Sequence, residues 1–153
     1  MGNEKSYNAG NGRLSEYKWN TLSERKTVNG VSGKMVGLKK EFATGKESAP
    51  IVGGTTDVYF VPGNNGLAKQ ARLRKDGKSV LDLDWSHEHK NADGTIFHKG
   101  VVHVQEFKTE TIRKDGKLRY HSTRLSANAR RMTAAEVKKY GPLILAFNPN
   151  VIF

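Results

Sequence analysis

From about residue 55 to residue 125, apolar and polar side chains alternate in short runs broken by turn-forming clusters. This period of two marks strands with one buried face. Val58 to Val61 is rich in β-branched and aromatic residues and runs into Pro62-Gly63-Asn64-Asn65-Gly66, which turns the chain. Lys69 to Arg74 alternates loosely around Ala71 and Leu73. From Val80 to Trp85, Leu81, Leu83 and Trp85 share one face, and Asp82, Asp84 and Ser86 share the other. Asp76-Gly77 joins these two runs and predicts a hairpin, because both turn positions tolerate positive φ. A polar loop from Ser86 to Gly100, with a second Asp-Gly at Asp93-Gly94, leads to a strand over Val101 to Phe107. The five residues Arg74 to Lys78 recur as Arg113 to Lys117, so the same turn chemistry predicts a partner strand over Leu118 to Leu125.

The two ends read differently. Leu14, Tyr17, Trp19 and Leu22 are spaced to predict a helix over about residues 13–25. Residues 1–12, rich in Gly and Asn, predict a mobile leader. Residues 29–54 hold six Gly and one Pro and predict short strands or loops. Thr133-Ala134-Ala135-Glu136 is a capping box that opens a C-terminal helix through Tyr140. Gly141-Pro142 stops or kinks it, and the apolar Leu143 to Phe147 packs on the sheet. The expected fold is a single α+β domain over 13–153, with an N-terminal and a C-terminal helix packed on a curved antiparallel sheet of four to five strands.

Length and charge narrow the chemistry. The chain has 153 residues, the size of one domain, and a net charge of +11. Residues 1–50 contribute +4 and residues 51–153 contribute +7, so the excess is a property of the whole domain. A field of this sign favours polyanions, among them nucleic acid and acidic proteins. Cysteine is absent, which excludes disulfides, thiolate nucleophiles and Cys-based zinc sites. No apolar run approaches the ~18–20 residues of a membrane span, and no hydrophobic stretch follows Met1 as a signal peptide requires.

Four of the five histidines, His87, His89, His98 and His103, lie in one short stretch among Asp82, Asp84, Glu88 and Glu106. If residues 80–87 pair with residues 101–107, imidazoles, carboxylates and cations meet at one end of the sheet. Two chemistries could use them. In metal-free RNA cleavage the 2′-OH attacks the adjacent phosphorus, helped by a general base, a general acid and a cation. Histidine suits the first two roles because it titrates near neutrality. A metal-dependent nuclease would instead use Asp and His to activate a water. Surface histidines in a turn-rich loop are the plain alternative. Lys69, Arg72, Arg74 and Lys75 form one basic segment. Residues 108–131 form a second, with eight basic and two acidic residues. In the second, Arg119 and His121 face one way and Tyr120 the other, where Tyr120 could stack on a base.

The segment from Arg72 to His87, followed by His103-Val104-Gln105-Glu106-Phe107 and by Asn128 to Thr133 with Glu136 to Gly141, resembles C-terminal toxin domains of bacterial polymorphic and contact-dependent growth inhibition systems. Those domains show an Asp-aromatic-x-His element ending one strand and a His-x-His-Glu/Asp-aromatic element on the next. The resemblance covers about residues 57–147 and implies a metal-independent RNase of the barnase/colicin/RelE-like group. Such a domain is exported at the end of a larger protein, cuts tRNA or rRNA in the target-cell cytoplasm, and is neutralised by a cognate, acidic immunity protein. Gln105 stands where the second motif would carry another histidine. The expectation therefore rests on His87 and His103 as the acid–base pair, with Glu106 and His89 in reserve. Lys108 and Arg113 would stabilise the phosphorane, and Arg72, Arg74, Arg119, Tyr120 and His121 would hold RNA. No cofactor and no metal are expected. A metal-dependent DNase toxin and a non-catalytic RNA-binding module are the rival functions.

Overall fold

The computed structural model describes residues 5–8, 18–42, 56–76 and 78–153, with backbone alone at 5–8, 42, 111, 114 and 117–122. The described elements are β1 (Lys5–Asn8), β2 (Trp19–Thr21), β3 (Lys26–Val28), β4 (Val31–Leu38), β5 (Val58–Pro62), β6 (Ala68–Lys75), β7 (Lys78–Asp84), β8 (His89–Lys90), β9 (Ile96–Phe97), β10 (His103–Lys114), β11 (Lys117–Arg124) and a helix, α1 (Ala134–Phe147). The Asp-Gly turns use the φ freedom that identified them. Asp76 and Asp115 both sit at φ 53° and Gly116 at 73°, closing the β6–β7 and β10–β11 hairpins. Asn29 and Gly30, at 53° and 75°, close β3–β4 in the same way.

Nine strands form one sheet in the order β1-β11-β10-β7-β6-β5-β4-β2, with β3 also on β4. Its pairs are antiparallel except β4–β5. The small β8–β9 ribbon stands apart. Alternation gives the sheet two unlike faces. One face carries Met35, Val58, Phe60, Ala71, Leu73, Leu83 and Val104 and is covered by Leu143, Ile144 and Phe147 of α1. The Phe60 and Phe147 rings stack at 4.2 Å. The other face has a smaller apolar cluster, Trp19, Val36, Tyr59 and Val61, and continues as a polar row. Register aligns Lys34, Tyr59, Arg72, Asp82 and Gln105 across β4, β5, β6, β7 and β10.

The structure overturns the expected two-helix α+β fold. Strands dominate it, and among the described residues α1 is the single α-helix. In place of a helix over 13–25, residues 19–28 line the edge of β4 as β2 and β3, while 13–17 fall outside the described residues. The 3.6-residue spacing there rested on four side chains. Backbone pairing along an open strand edge, with Trp19, Thr21, Thr27 and Val28 suited to extended backbone, outweighs so short a pattern. Lys5–Asn8, expected in a mobile leader, pairs with β11 as β1; the rest of 1–12 is outside the described residues.

The C-terminal helix follows its capping box, with Thr133 Oγ1 accepting from Glu136 N–H and Glu136 Oε1 accepting from Thr133 N–H. It does not end at Gly141-Pro142. Pro142 cannot donate to the Lys138 carbonyl, but the Asn29 amide does so at 3.4 Å, and burial of Leu143, Ile144 and Phe147 holds the last turns. No helix among the described residues is long and apolar enough to cross a membrane.

Gly33 lets α1 approach the sheet: a Cβ there would lie 2.9 Å from Phe60 Cε2 and 3.0 Å from Leu143 Cδ2. Gly33→Ala should cost about 1–3 kcal/mol by overpacking, and Leu143→Ala about 2–5 kcal/mol by cavity formation. The double variant should cost less than the sum, because Leu143→Ala opens the space the new methyl needs. Thermal unfolding of the three variants checks this, and strict additivity would mean that the two residues do not meet.

Candidate functional site

The polar face ends in a cluster of histidines where β7 and β10 meet. His103, the first residue of β10, pairs with Asp84, the last of β7. Beyond Asp84 the chain turns through Trp85, whose indole Nε1 donates to the Ala68 carbonyl at 2.9 Å, and delivers His87 beside His103. The β8–β9 ribbon then folds back and pairs His89 with Phe97. The His87 and His103 rings meet edge to face at 5.7 Å, and His89 stacks on His103 at 4.8 Å. Phe97 closes the inner side, 5.7 Å from His103. One nitrogen from each of the three imidazoles lies within 4.8 Å of the others.

Hydrogen bonds settle the tautomers of two rings. Asn91 is buried; its Nδ2 donates to the Ala129 carbonyl at 2.8 Å and its Oδ1 accepts from the Ala129 N–H at 2.9 Å. This pairing forbids an amide flip, so Oδ1 faces His89 Nε2 at 3.0 Å strictly as an acceptor. Neutral His89 therefore carries its proton on Nε2 and its lone pair on Nδ1. The Ser86 hydroxyl spends its proton on Asp84 Oδ1 at 2.8 Å, so the contact of 3.2 Å between Ser86 Oγ and His87 Nδ1 requires Nδ1–H. Asp84 Oδ1 lies 3.4 Å from the same nitrogen. The lone pair of neutral His87 is thus on Nε2, on a largely exposed ring.

His103 differs from both. It is 3% exposed, and its Nδ1 is buried without a hydrogen-bond partner. Burial pulls its pKa below the ordinary 6.5; Asp84 opposes this, His89 and His87 reinforce it, and the Val101 carbonyl opposes it weakly.

The remaining expected site residues fall elsewhere. Glu106 is three residues from His103 on one strand and so points to the opposite face, where its Oε1 accepts from Arg130 Nε at 2.6 Å. Lys108 shares that opposite face and pairs with Glu110 at 2.8 Å, which holds its ammonium above the ordinary range. Arg113 shares the face of His103 but is ten residues along β10, about 33 Å away at the strand rise. Neither Lys108 nor Arg113 can stabilise charge beside the imidazoles. Arg72 is buried and clasps Asp82 through Nε at 2.6 Å and Nη2 at 2.9 Å, and Arg74 is buried with its guanidinium 5.0 Å from the centre of the Tyr59 ring. Both sit within the sheet face instead of on an open surface. Arg119, Tyr120 and His121 lie on β11, and their side chains are outside the described ones. His98 is exposed and pairs with Glu88 at 3.3 Å, apart from the cluster.

Several neighbours were not expected. Asn91 acts through its Ala129 pairing, which joins residues 38 positions apart and leaves no local signal. Ser86 and Lys99 enter through a cleft of about 490 Å³ beside the cluster, also lined by Lys69, Asn64, Asn150 and Trp85. The cleft offers ammonium, amide and hydroxyl groups, the donors that hold phosphate oxygens. No protein-family model, curated protein or solved structure matches the chain.

The low proton affinity of His103 has a consequence for stability. The unfolded chain binds a proton at this ring more readily than the folded one, so stability falls as pH drops through about 6.5. In chelator-containing buffer the midpoint of thermal unfolding should decline from about pH 7 to about pH 5, and less steeply in His103→Gln. Identical slopes in the two proteins would mean that the ring titrates as it does in the unfolded chain.

Proposed function

We propose that the chain is an endoribonuclease that cuts RNA by metal-free general acid–base chemistry, carried as the toxin domain of a bacterial interference protein. The observation that carries this reading is the convergence of His87, His89 and His103 at the end of a sheet in a protein of net charge +11. The polyanion is drawn by the field, and the imidazoles supply the proton transfers. His87, with its lone pair on Nε2 and its Nδ1–H held by Ser86 and Asp84, meets the RNA and takes the 2′-OH proton. The 2′-oxygen attacks phosphorus, and the 5′-oxygen leaves with a proton returned from the cluster. His103 lies behind His87 and acts through the rings it touches. Lys99 and Lys69, which line the adjoining cleft, take the phosphate-binding role expected of Lys108 and Arg113.

The toxin context rests on the resemblance of the Arg72–His87 and His103–Phe107 segments. Under it the domain travels on a larger exported protein, cuts tRNA or rRNA in the target-cell cytoplasm and is held by an acidic immunity protein. That partner would also relieve the self-repulsion of so basic a surface.

Purified protein should cut tRNA or rRNA in EDTA. His87→Ala should lower the rate by about 10²–10⁴-fold, the usual worth of a positioned acid or base, and His103→Ala should lower it by less, because His103 acts through the rings it touches. Unchanged cutting by both variants would remove the roles assigned to His87 and His103. RNA bound with steep salt dependence but left intact would favour a binding module instead.

A further inference from the structure

We propose that His87, His89 and His103 form a binding site for a borderline first-row divalent cation, Zn²⁺ or Co²⁺, and that the bound ion blocks the ribonuclease site. The inhibition rests on the proposed function above; the ion site does not.

Three observations carry it. First, one nitrogen of each ring lies within 4.8 Å of the other two. Tetrahedral bonds of about 2.0–2.1 Å need ligand nitrogens about 3.4 Å apart. Closing the gap requires His87, whose side chain is 59% exposed, to turn and His89 to tilt out of its 20° stack on His103, because two parallel rings cannot aim in-plane lone pairs at one ion. Second, the ligands are presented in the form a metal requires. His89 donates its Nε2 proton to Asn91, and His87 donates its Nδ1 proton to Ser86 beside Asp84. This is the outer-shell arrangement that orients imidazole ligands and leaves the other nitrogen with its lone pair. Third, His103 carries a ring nitrogen that is buried and lacks any hydrogen-bond partner, a costly state that coordination would relieve.

The donor set also selects the ion. Three neutral imidazoles suit Zn²⁺, Co²⁺, Ni²⁺ and Cu²⁺, whereas Mg²⁺ and Ca²⁺ require oxygen ligands. Coordination takes the lone pairs that the acid–base reaction uses, so ion and proton transfer compete for the same atoms.

The test uses untagged full-length protein. Titration with Zn²⁺ by calorimetry, and with Co²⁺ by its visible d–d absorption, should show one ion per chain and none for Mg²⁺. Affinity should fall at least tenfold in His87→Ala and in His89→Gln, and about 10–100-fold in Asn91→Ala, which removes the outer-shell partner. His98→Ala should bind like the wild type. Zn²⁺ should raise the unfolding midpoint of the wild type and not of His89→Gln. Absent binding, or equal binding by wild type, His87→Ala and His89→Gln, would overturn the site. RNA cleavage then separates the two readings. Cutting in EDTA that stops on adding Zn²⁺ supports both. Cutting that requires Zn²⁺ keeps the ion site and overturns metal-free chemistry and inhibition. Specific binding with no cutting in either condition keeps the ion site and overturns the ribonuclease.

Discussion

Everything at the site depends on the register between β7 and β10. His103 stands opposite Asp84 and Gln105 opposite Asp82. A slip of one residue would send His103 to the helix-covered face and bring Val104 to the polar one. What prevents the slip is the opposite face: Leu81, Leu83 and Val104 must meet Leu143, Ile144 and Phe147 of α1. The apolar core therefore fixes the position of the imidazoles, although none of its side chains takes part in their chemistry. The buried Arg72–Asp82 pair adds a second specification of the same kind, since a shifted β6–β7 hairpin would leave a charge without its partner.

Around that register the cluster is held from three sides. Asp84 and Ser86 orient His87, and Phe97 and His89 enclose His103. The Ala129–Arg130 segment ties the ribbon to the sheet. Ala129 holds Asn91, and Arg130 exchanges backbone hydrogen bonds with Val104 at 2.7 and 3.0 Å. The Arg130 guanidinium binds Glu106 and Glu136, and it keeps the Glu136 carboxyl below its ordinary pKa. Glu106, expected as a catalytic reserve, thus anchors the strap that positions the histidines.

What the chain revealed before folding was local. The Asp-Gly turns announced two hairpins because only a few residue types accept positive φ in sequence. Pairing those hairpins was enough to bring His87 and His103 together. The side of the sheet on which each residue falls was also open to reading: His103 and Glu106 differ by an odd number on one strand and cannot share a face. The Arg72–Asp82 pairing was not open in the same way: the two-residue Asp-Gly turn alone sets Arg72 opposite Leu81, and a bulge between Leu73 and Arg74 shifts the register to Asp82. The non-local features were hidden. The edge strand at Trp19 exists because β4 offers it hydrogen bonds. Pro142 remains helical because Asn29, more than a hundred residues earlier, caps the carbonyl left bare. Asn91 gains its role only when Ala129 reaches it.

The strap at Ala129–Arg130 also orders events during synthesis. A chain emerging from the ribosome presents His87, His89 and His103 well before the residues that brace them. Until Ala129 arrives, Asn91 has no backbone to grip and His89 no assigned proton. The loop at Gly100 likewise waits for Ile152, whose amide and carbonyl secure Gly100 and Val102. Nascent fragments ending short of these contacts would carry all three imidazoles in an unbraced state, so the site matures only once residues 129–152 have emerged.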